Sequence, residues 1–111
     1  MIPLEPQRYD IYLADLNPTV GSEIKIIRPV VIVSPNEMNK YLDTLVICPV
    51  TSKLHPKWRS RIQITCAGKK SEIAVDQIRT ISKQRLKNKA DRLSHENAVQ
   101  LRRLITEMYG E

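Results

Sequence analysis

A hydroxyl, a carboxylate and two cations fall close together at Ser22, Glu23, Lys25 and Arg28. Side chains of these types can hold an anion and move a proton, provided that a scaffold fixes them. The flanking residues supply one. Asn17-Pro18 breaks the chain out of an extended segment, because the residue before a proline is pushed away from helical geometry. Gly21 allows a tight bend, Pro29 fixes the exit, and Val30-Val31-Ile32-Val33 runs on into a buried strand. A polar loop pinned at both ends is where binding and catalytic groups tend to sit. A solvated hairpin loop accounts for the same residues equally well.

Thr51-Ser52-Lys53 comes directly off a second apolar strand, Leu45 to Val50. Residues 53 to 70 then carry Lys53, Lys57, Arg59, Arg61, Lys69 and Lys70 with no acidic residue among them. Residues 79 to 92 add Arg79, Lys83, Arg85, Lys87, Lys89 and Arg92 against Asp91 alone. With a net charge of +6, these two blocks favour an anionic partner, although a solvated basic face is common in small proteins. His55 and His95 stand far apart, and no cysteine or histidine pair has zinc spacing, so neither a metal site nor a cofactor is expected. Cys48 and Cys66 lie in apolar strand-like segments and read as buried free thiols rather than a disulfide. Trp58, the only tryptophan, either touches a partner or covers the end of a small core, the second being the commoner fate.

The elements that must position these groups follow from periodicity. At 111 residues and 41% hydrophobic content, the chain reads as one domain, 1–111, with a real but small core. No apolar run approaches the roughly 18 residues of a membrane helix. The start Met-Ile-Pro-Leu-Glu-Pro is no signal peptide, so a cytoplasmic protein without a membrane partner is expected. Tyr9 to Leu16 alternates as a strand, and Pro29 to Ser34 forms the central one. Ser34-Pro35-Asn36-Glu37 predicts a short helix with serine at the N-cap and a capping box closed by Glu37. Pro49 places an edge or a bulge near the end of the 45–50 strand. Arg61 to Cys66 alternates as a half-exposed antiparallel strand, and Gly68-Lys69-Lys70 makes the turn after it. Ile73 to Val75 and Gln77 to Ile81 are short strands joined at Asp76. Ser82 to Leu93 reads as a turn of helix plus loop. Ser94 caps a final helix from His95 to about Tyr109, with Ala98, Leu101, Leu104, Ile105 and Met108 on one face. The sum is a small α+β domain, an antiparallel barrel with the helix over one opening.

Three blocks carry a resemblance. Tyr9-Asp10-Ile11-Tyr12, Asp15-Leu16-Asn17-Pro18, Gly21-Ser22-Glu23 and Arg28-Pro29-Val30-Val31-Ile32-Val33-Ser34 together resemble the start of the MazF/PemK family of toxin endoribonucleases. Pro49-Val50-Thr51-Ser52 and Asp76-Gln77-Ile78-Arg79-Thr80-Ile81-Ser82-Lys83-Gln84-Arg85-Leu86 look like its two other signature blocks, in order and over nearly the whole chain. The resemblance implies an SH3-like barrel with a C-terminal helix, a homodimer, and metal-independent cleavage of single-stranded RNA at short sequences. It also implies inhibition by a cognate MazE-like antitoxin whose C-terminal segment fills the RNA groove. Arg28 and Thr51 match the family's catalytic arginine and threonine. Ser22, Lys25, Ser52, Lys53, Gln77, Arg79 and Arg85 are the expected RNA contacts.

There are departures. Tyr9 stands where the family has a glycine, and Ile24-Lys25-Ile26-Ile27 replaces a glutamine or glycine-rich bend. Those isoleucines could instead form a patch for the dimer or the antitoxin.

The chemistry implied is attack of a 2'-OH on the neighbouring phosphorus, leaving a 2',3'-cyclic phosphate and a 5'-OH. Arg28 suits the phosphoryl oxygens, because guanidinium is a planar donor fork that stays charged. Thr51 can donate a hydroxyl to the same phosphate. Glu23 is the candidate base, although a salt bridge orienting Arg28 or Lys25 explains it nearly as well. His55 is a less favoured acid, and Trp58 or Tyr12 could stack on a base. Fold does not fix function, so a non-enzymatic CcdB-like toxin, or a barrel that only binds RNA, is the alternative.

Overall fold

The computed structural model describes residues 5–16 and 27–110. Among these residues, seven strands and two α-helices follow one another. They are β1 (Asp10–Asp15), β2 (Ile27–Ile32), α1 (Asn36–Tyr41), β3 (Thr44–Thr51), β4 (Arg61–Cys66), β5 (Lys69–Ala74), β6 (Arg79–Ser82), β7 (Leu86–Arg92) and α2 (His95–Tyr109). Every pairing among them is antiparallel, and the order across the sheet is β4-β5-β3-β2-β1-β7, with β6 also on β3.

The central strand β3 explains the curl. On one side it pairs with β2 through Ile47, Cys48 and Pro49. On the other it pairs with β6 over Thr44 to Ile47, then with β5 at Val50 and Thr51. Pro49, which lacks an N–H, falls where β3 changes partners. It therefore marks a handover in a central strand, and not the sheet edge that the sequence also allowed. The sheet curls into a half-barrel, and the Ala67 N–H donates to Asp91 Oδ2 at 2.7 Å, tying the β4–β5 turn to β7.

Strand alternation sends residues to two cores. Ile11, Val31, Val33, Cys48, Val50, Ile62, Ile64 and Ile73 gather beneath Ala98 and Leu101 of α2. Their neighbours Tyr12, Ala14, Val30, Ile32, Leu45 and Ile47 meet Ile81 and Leu86 on the opposite face. The expected helix 95–109 is present, and the Ser94 side chain accepts the Asn97 N–H as its cap.

Three expectations need correction. No capping box forms at α1, whose N-cap is Pro35 without a side-chain bond; Ser34 instead accepts from the Val46 N–H and bonds Asn39. The turn after β4 is Ala67-Gly68, with φ of 49° and 82°, and Lys69 and Lys70 already belong to β5. Residues 82–93 hold a 3-10 turn, Lys83–Arg85, and then a full strand, β7, on β1. Its register shifts twice against β1, so it lacks clean alternation. Tyr9, in the place of a glycine, has a φ of 74°, the backbone conformation that glycine adopts most readily. Its N–H donates to Ile32 O at 2.7 Å and its carbonyl accepts from Leu93, which together hold the conformation.

Candidate functional site

Five of the expected site residues meet around one pocket of about 560 Å³. β2 supplies Arg28, the end of β3 supplies Thr51, and the segment after it supplies Lys53. A 3-10 turn, Val75–Gln77, brings Gln77, and the start of β6 brings Arg79. Arg28 and Thr51 also border a second hollow of about 440 Å³, lined by Ser52, Leu13, Pro29 and Cys66 among others, so they stand on the ridge between the two. This convergence follows from the register: β3 ends between β2 and β5, beside the point where β6 departs.

Thr51 has a local feature that bears on its chemistry. Its Oγ1 accepts the Lys53 N–H at 3.1 Å. One lone pair is thus used by the backbone, and the hydroxyl proton stays available to a ligand.

Arg85 does not line the pocket. Its guanidinium donates to the Asp15 carbonyl at 3.1 Å, at the end of β1. Ser22, Glu23 and Lys25 lie outside the described residues. Of the isoleucine segment only Ile27 is described, and it is exposed.

Three residues that the sequence reading left on the margin take central places. His55 and Arg61 line the pocket. Behind them Glu72 on β5 has no exposure to water. Its Oε1 accepts the His55 backbone N–H and Gln63 Nε2 (2.9 Å). Its Oε2 accepts Arg61 Nη1 at 2.6 Å and faces His55 Nδ1 at 3.1 Å. Arg61 Nε donates in turn to Asp76 at 2.9 Å. Burial alone would raise the Glu72 carboxyl, but the bonds from the His55 amide, Gln63, Arg61 and the His55 ring outweigh it and bring the pKa down to about 2. Trp58 does not cover the core. It is half exposed and stacks on His55 with ring centroids 3.9 Å apart, while the Arg61 guanidinium lies 4.7 Å from its ring centre. The available signal was a lone glutamate directly before the apolar run Ile73-Ala74-Val75, opposite Gln63 in an alternating strand.

The same contacts revise the charge map. Within the basic blocks Arg61 is neutralised by Glu72 and Asp76, and Lys89 and Arg92 meet the buried Asp10 at 3.2 and 2.7 Å. Arg28, Lys53 and Arg79 remain as the pocket's cations. Neither cysteine is in a disulfide. Among the described residues no cluster of histidine, cysteine and acidic groups could hold a metal ion.

Comparison with known proteins places the chain in a family. Residues 7–109 match the family described as the PemK-like, MazF-like toxin of type II toxin-antitoxin systems. The chain is 41% identical over 93 residues to the endoribonuclease MazF of Staphylococcus saprophyticus, covering 79% of this chain and 78% of that protein. A MazF crystal structure from Deinococcus radiodurans superposes with a TM-score of 0.81 at 18% identity, over 98% of this chain and all of the other. An endoribonuclease from mycobacterial species, in complex with its cognate antitoxin, superposes with a TM-score of 0.70 at 18% identity, over 96% of this chain and 94% of that one. The half-barrel with its C-terminal helix is the fold of these toxins, and the chain belongs to the PemK/MazF family.

Proposed function

We propose that this protein is a toxin endoribonuclease that cuts single-stranded RNA by attack of a 2'-OH on the adjacent phosphorus, without a metal. The observation that carries the reading is the meeting of Arg28 and Thr51, from separate strands, on the rim of one cationic pocket. The 41% identity to an endoribonuclease supports it. Arg28 puts its planar donor fork on the non-bridging phosphoryl oxygens, where charge grows in the transition state. Thr51 adds its free hydroxyl proton to the same group. Lys53 and Arg79 hold flanking phosphates, Gln77 offers an amide to a base or sugar, and Ser52 serves the strand on the far side of the ridge. Ser22 and Lys25 complete the RNA contacts, and the Glu23 carboxylate takes the 2'-OH proton. Arg85 acts from further out, by steadying the end of β1 from which that loop departs.

The active form in this reading is a cytoplasmic homodimer, and a cognate antitoxin silences it by filling the RNA groove. Complexes of structural neighbours with antitoxins support that partner. The test is incubation with a long single-stranded RNA in EDTA, beside Arg28→Ala, with the new ends mapped. Discrete cuts with 5'-OH ends are expected, slowed on the order of 10²–10³-fold by the substitution. Intact RNA from a folded dimer would reject the nuclease and leave a toxin that acts by binding.

A further inference from the structure

Cleavage of this kind needs a second proton besides the one lost by the 2'-OH. An alkoxide is a poor leaving group, so the departing 5'-oxygen must be protonated as its bond to phosphorus breaks. Arginine holds its proton too tightly to give it up readily. Threonine is no better a source.

His55 is the group in the pocket built to do this. Its Nδ1 lies 3.1 Å from Glu72 Oε2 and 3.4 Å from Arg61 Nη1. A carboxylate oxygen can only accept, so the 3.1 Å contact is a hydrogen bond in which Nδ1 carries the hydrogen. Trp58 covers one face of the imidazole. The ring is therefore held at one nitrogen and on one face, and among the described residues Nε2 has no hydrogen-bond partner. Glu72, Asp76 and Arg61 beside the ring together bear one net negative charge. A carboxylate that fixes one imidazole nitrogen and leaves the other to the substrate is a recurrent arrangement for proton transfer.

We propose that His55 is the general acid of the cleavage and that Glu72 is its positioning residue. The inference rests on the endoribonuclease reading given above. The bond from the 2'-oxygen to phosphorus forms and the bond from phosphorus to the 5'-oxygen breaks. The 2'-OH proton passes to Glu23, and the Nε2 proton of His55 passes to the 5'-oxygen. The neutral imidazole keeps its Nδ1 hydrogen on Glu72, and both groups re-equilibrate with water before the next turnover.

The experiment compares two short RNAs that differ only at the mapped cut, one with the natural 5'-oxygen and one with sulfur in its place. A thiolate leaves without a proton, so an acid is needed only for the oxygen substrate. His55→Gln should be slowed about 10²–10⁴-fold on oxygen and stay within about tenfold of the unaltered protein on sulfur. His55→Asn, which keeps an N–H for Glu72 and so preserves the loop, should behave alike. Glu72→Gln should repeat the pattern more weakly, and its partial recovery on sulfur separates positioning from lost folding. Arg28→Ala should be slow on both substrates. Equal slowing of both histidine variants on oxygen and sulfur, or full activity on oxygen, would overturn the assignment of His55. Failure of the unaltered protein to cut either RNA would instead overturn the nuclease reading itself.

Discussion

Glu72 bears its charge where no water reaches it, and such burial is costly unless donors surround the carboxylate. The His55 amide and ring, Gln63 and Arg61 are those donors. The folded carboxyl titrates at about 2, whereas an unfolded glutamate titrates near ~4.3. The folded value is depressed, so the contribution to stability is complete above the unfolded value and is lost as pH falls toward the folded one. The urea midpoint of the unaltered protein should therefore drop between roughly pH 4 and pH 2. Glu72→Gln should show a lower midpoint at neutral pH and a flatter profile across that window. Parallel profiles for the two proteins would mean that the carboxylate does not govern acid stability. Asp76 and Asp91 are shifted in the same direction, burial opposing and Arg61 favouring the first, and the Ala67 and Arg92 amides favouring the second.

Among the elements, the β4–β5 hairpin is the most readily improved. Its two turn residues both have positive φ, which suits Gly68 but costs an alanine about 1–2 kcal/mol. Asparagine tolerates this geometry and is favoured before glycine in such hairpins. Ala67→Asn should raise stability by roughly 0.5–1 kcal/mol, read as a higher melting temperature with unchanged RNA cleavage. A lower melting temperature would show that the bond from the Ala67 amide to Asp91 had been disturbed. The same hairpin shows what the sequence makes legible. Strand 61–66 alternates without interruption, and its bounds could be read residue for residue. The turn could not, because alanine gives no hint of positive φ and Lys69-Lys70 looks like turn chemistry. β7 was hidden for a related reason. Leu86-Lys87-Asn88-Lys89-Ala90-Asp91-Arg92 has no β-branched residue, and only its pairing with β1 makes it a strand. Helix 95–109 was plain, since its cap and its apolar spacing agree.

At the scale of the molecule, two cores separated by one sheet account for the silence of both thiols. Burial, and then the charge of Asp76, push the Cys48 thiol up to about 12, and burial with Asp91 raises Cys66. Neither should react with iodoacetamide at neutral pH until the sheet opens as a whole. Labelling followed by mass spectrometry in increasing urea should track global unfolding, and rapid labelling of either in the native protein would contradict this packing. Whole-molecule assembly is also why the site was only half visible in the sequence. Arg28, Thr51, Gln77 and Arg79 lie in motifs, but His55 and Glu72 are 17 residues apart and meet only because β3 ends beside β5. Distance along the chain concealed the pair. Because β3 is held by three other strands, the threonine it carries stands on the part of the sheet least able to fray. That has a consequence for control. Local melting at the margins of the sheet leaves a threonine on such a keystone in place, so its hydroxyl is masked only by a group that covers it.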